Sequence, residues 1–298
     1  MADLLTVALP HVTPDDARDD AAHSASRAGV RISTAHTLGE VQAASRLWAA
    51  VWGRTDEPPV SPELLRALTH AGNHLAIAHA DGEVVGALLG FYGGDGRGPD
   101  HLHSHILGVD ARMRGRGVGA ALKLQQRAWA LARGIDLITW TYDPLVRANG
   151  RFNVVNLGAD GAAYEPDFYG AMADAINADD ATDRVLVEWD LTRPRNRASA
   201  VRPLQDLAAR ALVARPTGEP VAGPSDGDRV VCATPADIVG LRRTDPPLAR
   251  RWRLALREVL SDAFARGLRI TAMTDEGAYV LTRTERARTA GSTLRPVD

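Results

Sequence analysis

The chain of 298 residues is poor in cysteine and lysine. Cys232 is the single cysteine, so an intrachain disulfide and a cysteine-based zinc site are both excluded. A protein with so little cysteine is expected in a reducing compartment. Lys123 is the single lysine. Because alanine, glycine and arginine are all abundant, we interpret the excess of arginine over lysine as G+C-rich coding and not as phosphate recognition.

The sequence also lacks long apolar runs and a strong net charge. No apolar stretch reaches the length of a membrane span. The start of the chain has neither the basic residues nor the apolar core of a signal peptide. The formal net charge of −2 provides no general attraction for nucleic acid or an anionic membrane. We therefore expect a cytoplasmic protein that binds neither nucleic acid nor membranes.

The chain does have the apolar content of an ordinary globular protein, 45%, and its composition divides it into segments. Residues 1–28, acidic and rich in alanine and serine in their second half, are predicted to form a flexible tail. The segment 193–228 is rich in arginine, proline, alanine and glycine, and is predicted to be a linker with one short helix at 203–214. A main domain at 29–192 and a small C-terminal unit at 229–298 remain.

Hydrophobic periodicity and turn signals in the main domain predict a mixed central sheet flanked by helices, of the α/β (α+β) class. The predicted elements are a strand at 30–36, helices at 37–53 and 61–72, a hairpin at 74–93 that turns at Asp81-Gly82, a strand at 101–109, a helix at 117–133, a strand at 136–143, a short helix at 146–158, and strands at 162–165 and 183–191.

The C-terminal unit is predicted to be a small α+β unit with one long helix between the cap residue Asp245 and Gly267. This helix has a wide apolar stripe that includes Trp252 and Phe264, and a few short strands can hardly cover it alone. We therefore expect the unit to pack on the main domain or on a second copy of the chain, which leaves a homodimer open.

A turn rich in glycine and arginine follows the strand at 101–109. It alternates two sets of residues: Arg112, Arg114 and Arg116, and Gly115, Gly117 and Gly119. Glycine lets the backbone approach a ligand closely, and the free N–H groups of a helix start form an anion site, so a pyrophosphate is the natural ligand.

Three interpretations of this turn are open. The segment GRGVGA satisfies the dinucleotide pattern of nicotinamide enzymes, although an arginine-rich connector and antiparallel hairpins precede it. A tight turn without any ligand is the plainest interpretation. The third is an acyl-CoA site, and the absence of G-K-[ST] excludes a P-loop.

The segment VDARMRGRGVG, at 109–119, resembles the acyl-CoA-binding signature of the GNAT acetyltransferase superfamily, V-x-P-x-x-R/Q-G-x-G-x-G/A. Ala111 replaces the usual proline. The predicted order of elements resembles the GNAT fold from about residue 30 to 191. Other segments, such as YDPLVRANGRFNVVNLGA and TDRVLVEWDL, are similar to a branch of predicted GNAT acetyltransferases with unassigned substrate and an extra C-terminal region.

This resemblance implies a set of cofactor-binding residues. The backbone amides of the turn would hold the CoA pyrophosphate, and the strands at 101–109 and 136–142 would part to admit pantetheine, with Gly108 marking the irregularity. A backbone N–H near Val109 would polarise the thioester carbonyl. The implied cofactor-binding residues are Leu107, Val109, Arg114, Gly115, Arg116, Gly117, Val118, Gly119 and Ala120.

Histidines alternate along the strand at 101–109, and strand periodicity puts them on one face with Leu107 and Val109. Acyl transfer to an amine needs a base, and a neutral imidazole serves that role near neutral pH. The resemblance to arylalkylamine N-acetyltransferases, which have two histidines on the corresponding strand, favours His105 as the base and His103 as the second candidate. Packing histidines are the alternative. No metal site is expected, since no third ligand is identifiable.

Many GNAT enzymes protonate the departing CoA thiolate with a tyrosine, and the corresponding position here is Val154. Tyr164 and Tyr169 are candidate substitutes, with simple packing as the alternative. The implied function is direct transfer of an acyl group from acetyl-CoA, or another acyl-CoA, to the amine of a small molecule, such as an amino acid. The alternative function is a non-catalytic acyl-CoA sensor whose C-terminal unit binds a partner.

Overall fold

The computed structural model describes residues 11–94, 100–170, 180–195, 200–201 and 209–284. Its strands are β1 (Arg31–Thr34), β2 (His74–Ala80), β3 (Glu83–Gly93), β4 (His101–Val109), β5 (Leu137–Tyr142), β6 (Asp160–Glu165), β7 (Arg184–Asp190), β8 (Ala200–Val201), β9 (Arg210–Ala214), β10 (Pro220–Ala222), β11 (Arg229–Cys232), β12 (Leu268–Thr274) and β13 (Tyr279–Arg283). They form one mixed sheet in the order β1-β2-β3-β4-β5-β7-β6-β12-β13-β11-β9-β10, with β8 beside β12.

Helices flank this sheet, which confirms the predicted fold class. They are α1 (Pro14–Ala28), α2 (Leu38–Trp52), α3 (Pro62–His70), α4 (Val118–Leu131), α5 (Arg147–Gly150), α6 (Ile238–Thr244) and α7 (Pro246–Ala265), with a 3-10 turn at Ala111–Met113 and a π-helix at Arg151–Asn156. α1 and α4 pack together on one face of β2, β3 and β4, and α2 covers the opposite face with α3 beside it.

Local signals explain the elements from β1 to β3. Thr37 and Glu40 form a capping box at the start of α2, and Gly53 ends the helix in the left-handed conformation. Asp81 and Gly82 have φ of 52° and 82°, as a two-residue hairpin turn of type I′ requires. The predicted elements between 30 and 93 are therefore present with their expected boundaries, to within one to three residues.

The prediction of a flexible tail at 1–28 is wrong for α1, while its first ten residues lie outside the described residues. Thr13 and Asp16 form a capping box at the start of this helix. Ala17 and Ala21 are buried, and their small side chains allow α1 to lie close against α4. Composition misled the prediction because an acidic, alanine-rich stretch looks like a solvated tail until a partner helix buries its alanine stripe.

The predicted linker at 193–228 contains a hairpin formed by β9 and β10. The helix expected at 203–214 is wrong for its last five residues, which form β9, and most of its first part lies outside the described residues. Ala211 and Leu212 are buried, and β9 pairs in parallel with β11. Pairing with a distant strand has overridden a local spacing that suited a helix equally well.

The C-terminal elements extend the same sheet. Ile270 of β12 pairs with Gly161 of β6, where an added Cβ would lie 2.9 Å from the Ile270 side chain. α7 packs on β6 and β12, and its buried residues Trp252 and Leu256 share one apolar cluster with Val185 of β7. The main domain and the C-terminal elements therefore share one apolar core, although the sequence suggested a linker between them.

Candidate active site

The glycine-rich turn lies between β4 and α4, where the sequence predicted it. Gly115 and Gly117 have φ of 76° and 87°, in the left-handed region that favours glycine. Gly117 occupies the N-cap position of α4 and provides no side-chain cap, so the first backbone N–H groups of the helix are available to an anion. Gly119 has an ordinary φ, and a Cβ added there would lie 3.6 Å from Leu107 and 3.8 Å from Phe152.

The arginines of this turn differ in their partners. Arg112 forms ion pairs with Glu83 and Asp110, each at 3.0 Å, so local carboxylates already balance much of its charge. Arg114 and Arg116 have exposed side chains at the turn. The positive charge that the sequence assigned to three arginines is therefore supplied mainly by two.

A cavity of 430 Å³ opens at the glycine turn. Its volume is within the range of small-ligand sites. Sequence reasoning missed the part of α1 in this cavity because it assigned those residues to a tail. The cavity lining includes His23 and Arg27 of α1, Gly115 and Gly117 of the turn, Asn156 of the π-helix, and Arg195.

β4 and β5 are parallel and pair over a very short stretch. The pairs are Leu102 with Ile138 and His103 with Thr139. Beyond them the two strands part on the side that leads to Val109 and the glycine turn. The expected gap between these strands is present, with its apex just past His103 and Thr139.

The irregularity in β4 lies at His105. In the antiparallel pairing of β3 with β4, Leu89 faces Ile106 while Gly90 faces Ser104. His105 is therefore the extra residue of a β-bulge, which re-aims the strand at this point.

Gly108 was expected to mark this irregularity, and that expectation is wrong. Gly108 is regularly paired with Ala87. A Cβ at position 108 would lie 2.6 Å from the Trp48 ring of α2, so glycine is required there by close helix packing.

The bulge changes which residues share a face of β4. His103 and His105 lie together beside Phe91 on one face, as predicted. Leu107 and Val109 belong to the apolar cluster on the opposite face, beside α4, so their predicted place on the histidine face is wrong. An unbroken alternation of faces cannot pass through an extra residue.

The two imidazoles are close neighbours. Their ring centroids are 6.4 Å apart, and the Phe91 ring lies 5.2 Å from His103 and 5.7 Å from His105. His103 Nδ1 is 3.2 Å from the Thr139 hydroxyl oxygen across the β4–β5 pair. His105 has no strand partner and is the more exposed of the two.

The surroundings keep both imidazoles neutral at neutral pH. Burial is the main cause that lowers the pKa of His103 to about 4. His105 is exposed to solvent on one side, and partial desolvation lowers the pKa of its imidazole as well. Both side chains are therefore in the form that can accept a proton.

The structure does not bring Tyr164 to the histidines, so its predicted catalytic position is wrong. Tyr164 lies opposite Val185, as does Tyr142, and this row faces the other side of the sheet from Thr139. Its hydroxyl donates to Asp183 Oδ2 at 2.7 Å, and burial, together with that carboxylate, raises the pKa of Tyr164 far above its usual range.

Tyr169 is the tyrosine that lies on the histidine side. Its hydroxyl is 3.1 Å from the Thr141 hydroxyl, and Thr141 shares a strand face with Thr139. The sequence favoured Tyr164 as the catalytic tyrosine, because the face of the sheet on which it lies depends on strand register, which the sequence alone does not determine. Val154, at the position where many GNAT enzymes have the catalytic tyrosine, is buried in the core.

No helix in the described ranges is both long and apolar enough to cross a membrane. In the same ranges, no three His, Cys, Asp or Glu side chains are gathered as they would be around a metal ion.

Comparison with known proteins finds similarity in the first half of the chain. Residues 16–144 match a family described as an acetyltransferase (GNAT) domain. An acetyltransferase of Photorhabdus laumondii subsp. laumondii is 39% identical over 92 residues, which cover 30% of this chain and 61% of that protein. The chain thus matches about three fifths of the length of this relative.

Solved structures show similarity to about half of the chain. The ribosomal-protein-S18-alanine N-acetyltransferase of Escherichia coli is 14% identical with a TM-score of 0.44, over 55% of this chain and 96% of that one. An N-acetyltransferase of Staphylococcus aureus is 18% identical with a TM-score of 0.45, over 55% of this chain and 99% of that one.

Proposed function

We propose that this protein is an acyl-CoA-dependent N-acyltransferase, because residues 16–144 match a family described as an acetyltransferase (GNAT) domain. One observation carries the proposal: the uncapped start of α4 opens on a cavity that the glycine turn lines, next to two parallel strands, β4 and β5, that pair at only two positions. The donor is acetyl-CoA by default, and the acceptor is the amine of a small molecule.

The cofactor fits the described residues in one direction. Its pyrophosphate is held by the backbone N–H groups of the glycine turn, with positive charge from Arg114, Arg116 and Arg27 nearby. The pantetheine arm then follows the gap between β4 and β5, in the space that the missing side chain of Gly119 leaves open. The thioester therefore lies in the gap toward its apex, between β4 and β5 and next to the last strand pair, His103 and Thr139.

The histidine pair supports the chemistry of the acceptor amine. An amine attacks the thioester carbonyl only after losing its proton, and His105 is accessible and neutral for that step. His103, anchored to Thr139, is placed to hold a water molecule or to share the proton. The backbone N–H groups of β4 next to the gap would stabilise the oxyanion of the tetrahedral intermediate.

The surface around the histidines favours a small acceptor with polar and aromatic character. Phe91, Thr141 and Tyr169 border the same face as the imidazoles, and Phe168 packs edge-on against Tyr169. These side chains offer apolar walls and hydroxyl groups, which together suit an amino-acid-like amine.

Substitution of Gly119 tests the cofactor site with a matched pair. Gly119→Ala should bind CoA nearly as the wild type, because its Cβ meets only ordinary contacts. Gly119→Leu should fill the pantetheine path and weaken CoA binding by tenfold or more, about 1.4 kcal/mol. Calorimetric titration with CoA, acetyl-CoA, succinyl-CoA and NADH measures the effect, and circular dichroism confirms folding. Unchanged CoA affinity in a folded Gly119→Leu variant, or binding of NADH alone, would contradict the proposal.

A further inference from the structure

The single lysine of the chain, Lys123, is buried beneath the apex of the gap between β4 and β5. Its side chain reaches from α4, and the residue is 4% exposed. Its nitrogen Nζ lies 2.8 Å from Ser104 Oγ and 3.7 Å from the centre of the Trp140 ring. Ser104 and Trp140 directly follow His103 and Thr139, the last paired residues of the two strands. Nζ is thus held where the strands begin to part.

This burial favours the uncharged amine. None of the ion pairs among the described residues includes Lys123, so no carboxylate there offsets the cost of burying its charge. Burial holds the pKa of its amine well below the usual range. A neutral lysine amine is a nucleophile. All the other lysine or arginine positions of the chain hold arginine, whose guanidinium group stays protonated.

A second buried polar group lies close to this apex. Gln126, one turn further along α4, is fully buried, and neither atom of its amide has a hydrogen-bond partner among the described residues. A Cβ added to Gly90, the partner of Ser104, would lie 2.6 Å from Gln126 Nε2. An unpaired buried amide is costly, so a polar group that enters here would gain a hydrogen bond.

The proposed cofactor path leads toward Lys123. The gap between β4 and β5 ends beside Ser104, because His103 and Thr139 are the last paired residues of the two strands. A pantetheine arm that starts at the glycine turn and follows the gap ends at this apex. The thioester would then come to the neighbourhood of Ser104, directly above Nζ. This step rests on the proposed function.

We propose that Lys123 is an internal acyl acceptor, which bound acyl-CoA acylates in the same chain. The Nζ lone pair attacks the thioester carbonyl carbon, an amide N–C bond forms, and the C–S bond breaks. The leaving CoA thiolate takes the proton that Nζ loses, so the products are acyl-Lys123 and CoA thiol. Ser104 positions Nζ through its hydrogen bond and is not itself acylated.

Mass spectrometry of the full-length chain tests this proposal without any known acceptor. After incubation with acetyl-CoA, the intact chain should gain one acetyl group, and peptide mapping should place it on Lys123. The terminal amine is the other primary amine that could react, and it lies on a different peptide. An acetyl group found only on the terminal amine or on Ser104 would overturn the proposal.

Three controls separate a cofactor-directed reaction from chemical acetylation. Acetyl phosphate should leave Lys123 unmodified, because it lacks the CoA portion that reaches the buried amine. The Gly119→Leu variant should lose the modification in proportion to its loss of acetyl-CoA affinity. Lys123→Met should show no acetyl group at this peptide. Equal modification by acetyl phosphate would overturn the proposal.

The readouts distinguish this inference from the proposed function. If calorimetry shows no binding of acetyl-CoA, the cofactor site itself is wrong. If acetyl-CoA binds and the wild-type chain still gains no acetyl group at Lys123 after prolonged incubation, the internal acceptor alone is wrong. Peptide mapping of the wild type suffices for this decision, even if Lys123→Met fails to fold.

Discussion

His103 and His105 lie side by side on one face of β4, and the second of them is the extra residue of a β-bulge. His103 is paired with Phe91, His105 lies beside the same ring, and Leu107 and Val109 lie on the α4 side. Thr139 then orients His103 from the neighbouring strand. The pair is therefore held by register and not by the sequence spacing alone.

Replacing His105 with alanine should lower kcat by about 10²-fold while CoA affinity stays unchanged, since a positioned general base contributes on that order. The base works only when neutral. Because the pKa of His105 is lowered, kcat/KM should begin to decrease with falling pH only below pH 6.5. If His103 is the group that titrates, the decrease should come near pH 4. Turnover of the best acceptor from a panel of primary amines, measured as released CoA thiol, provides the profile.

His70, exposed on α3, offers the matched control for this experiment. His70→Ala removes an imidazole elsewhere on the surface and should leave rate and profile unchanged. A double variant at His103 and His105 with the wild-type pH profile would assign both histidines to packing.

The helix α1 forms part of the proposed site, although the composition of its sequence predicted a flexible tail. Its alanine stripe packs on α4, and the adjacent face lines the cavity at the glycine turn with His23 and Arg27. Asp20, on the same helix, forms ion pairs with Arg195 and Arg127, which tie α1 to the segment after β7 and to α4. α1 is thus both a structural support and a wall of the proposed cofactor site.

Replacing Arg27 with alanine should weaken CoA binding by about tenfold to a hundredfold, because a charge-assisted hydrogen bond contributes roughly 1.5–3 kcal/mol. The melting temperature should hardly change, since the Arg27 side chain is exposed. Arg18→Ala is the control on the same helix, because Arg18 pairs with Asp15 and is not part of this cavity. Calorimetry that shows equal CoA affinity for Arg27→Ala and the wild type would remove α1 from the cofactor site.

At the scale of the whole molecule, charged groups join the two halves of the chain. Asp183 accepts hydrogen bonds from Arg257 of α7 and from Tyr164, at 2.8 and 2.7 Å. Burial opposes ionisation of Asp183, but these hydrogen bonds hold the pKa of its carboxyl below the ordinary value. Asp180 pairs in the same way with Arg253 of α7. These contacts accompany the β6–β12 pairing and the shared core.

Ending the chain at residue 195 should therefore expose the edge of β6 and the apolar surface that α7 covers. We expect aggregation, or a monomer with a lower melting temperature, since an uncovered sheet edge and apolar patch both promote association. Size-exclusion chromatography and thermal unfolding measure the outcome. A soluble monomeric fragment that melts like the full chain and binds CoA with the same affinity would show that the halves are independent.

The sequence by itself determined the elements whose signals are local. Capping boxes, hairpin turns and the glycine-rich start of α4 depend on neighbouring residues, so the helices and strands from 30 to 191 could be predicted, along with the anion-binding turn. The identity of the histidines as neighbours also followed from their spacing of two. These features are decided within a few residues of chain.

Only the tertiary structure decided which faces and partners these elements meet. The bulge at His105, the side of the sheet that Tyr164 faces, the packing of α1 and the strand character of β9 all depend on pairing with distant residues. The role proposed for Lys123 is the clearest case, because the scarcity of lysine in the sequence suggested only coding bias. Burial between Ser104 and Trp140 gives its amine a different chemistry, and burial is a property of the assembled fold.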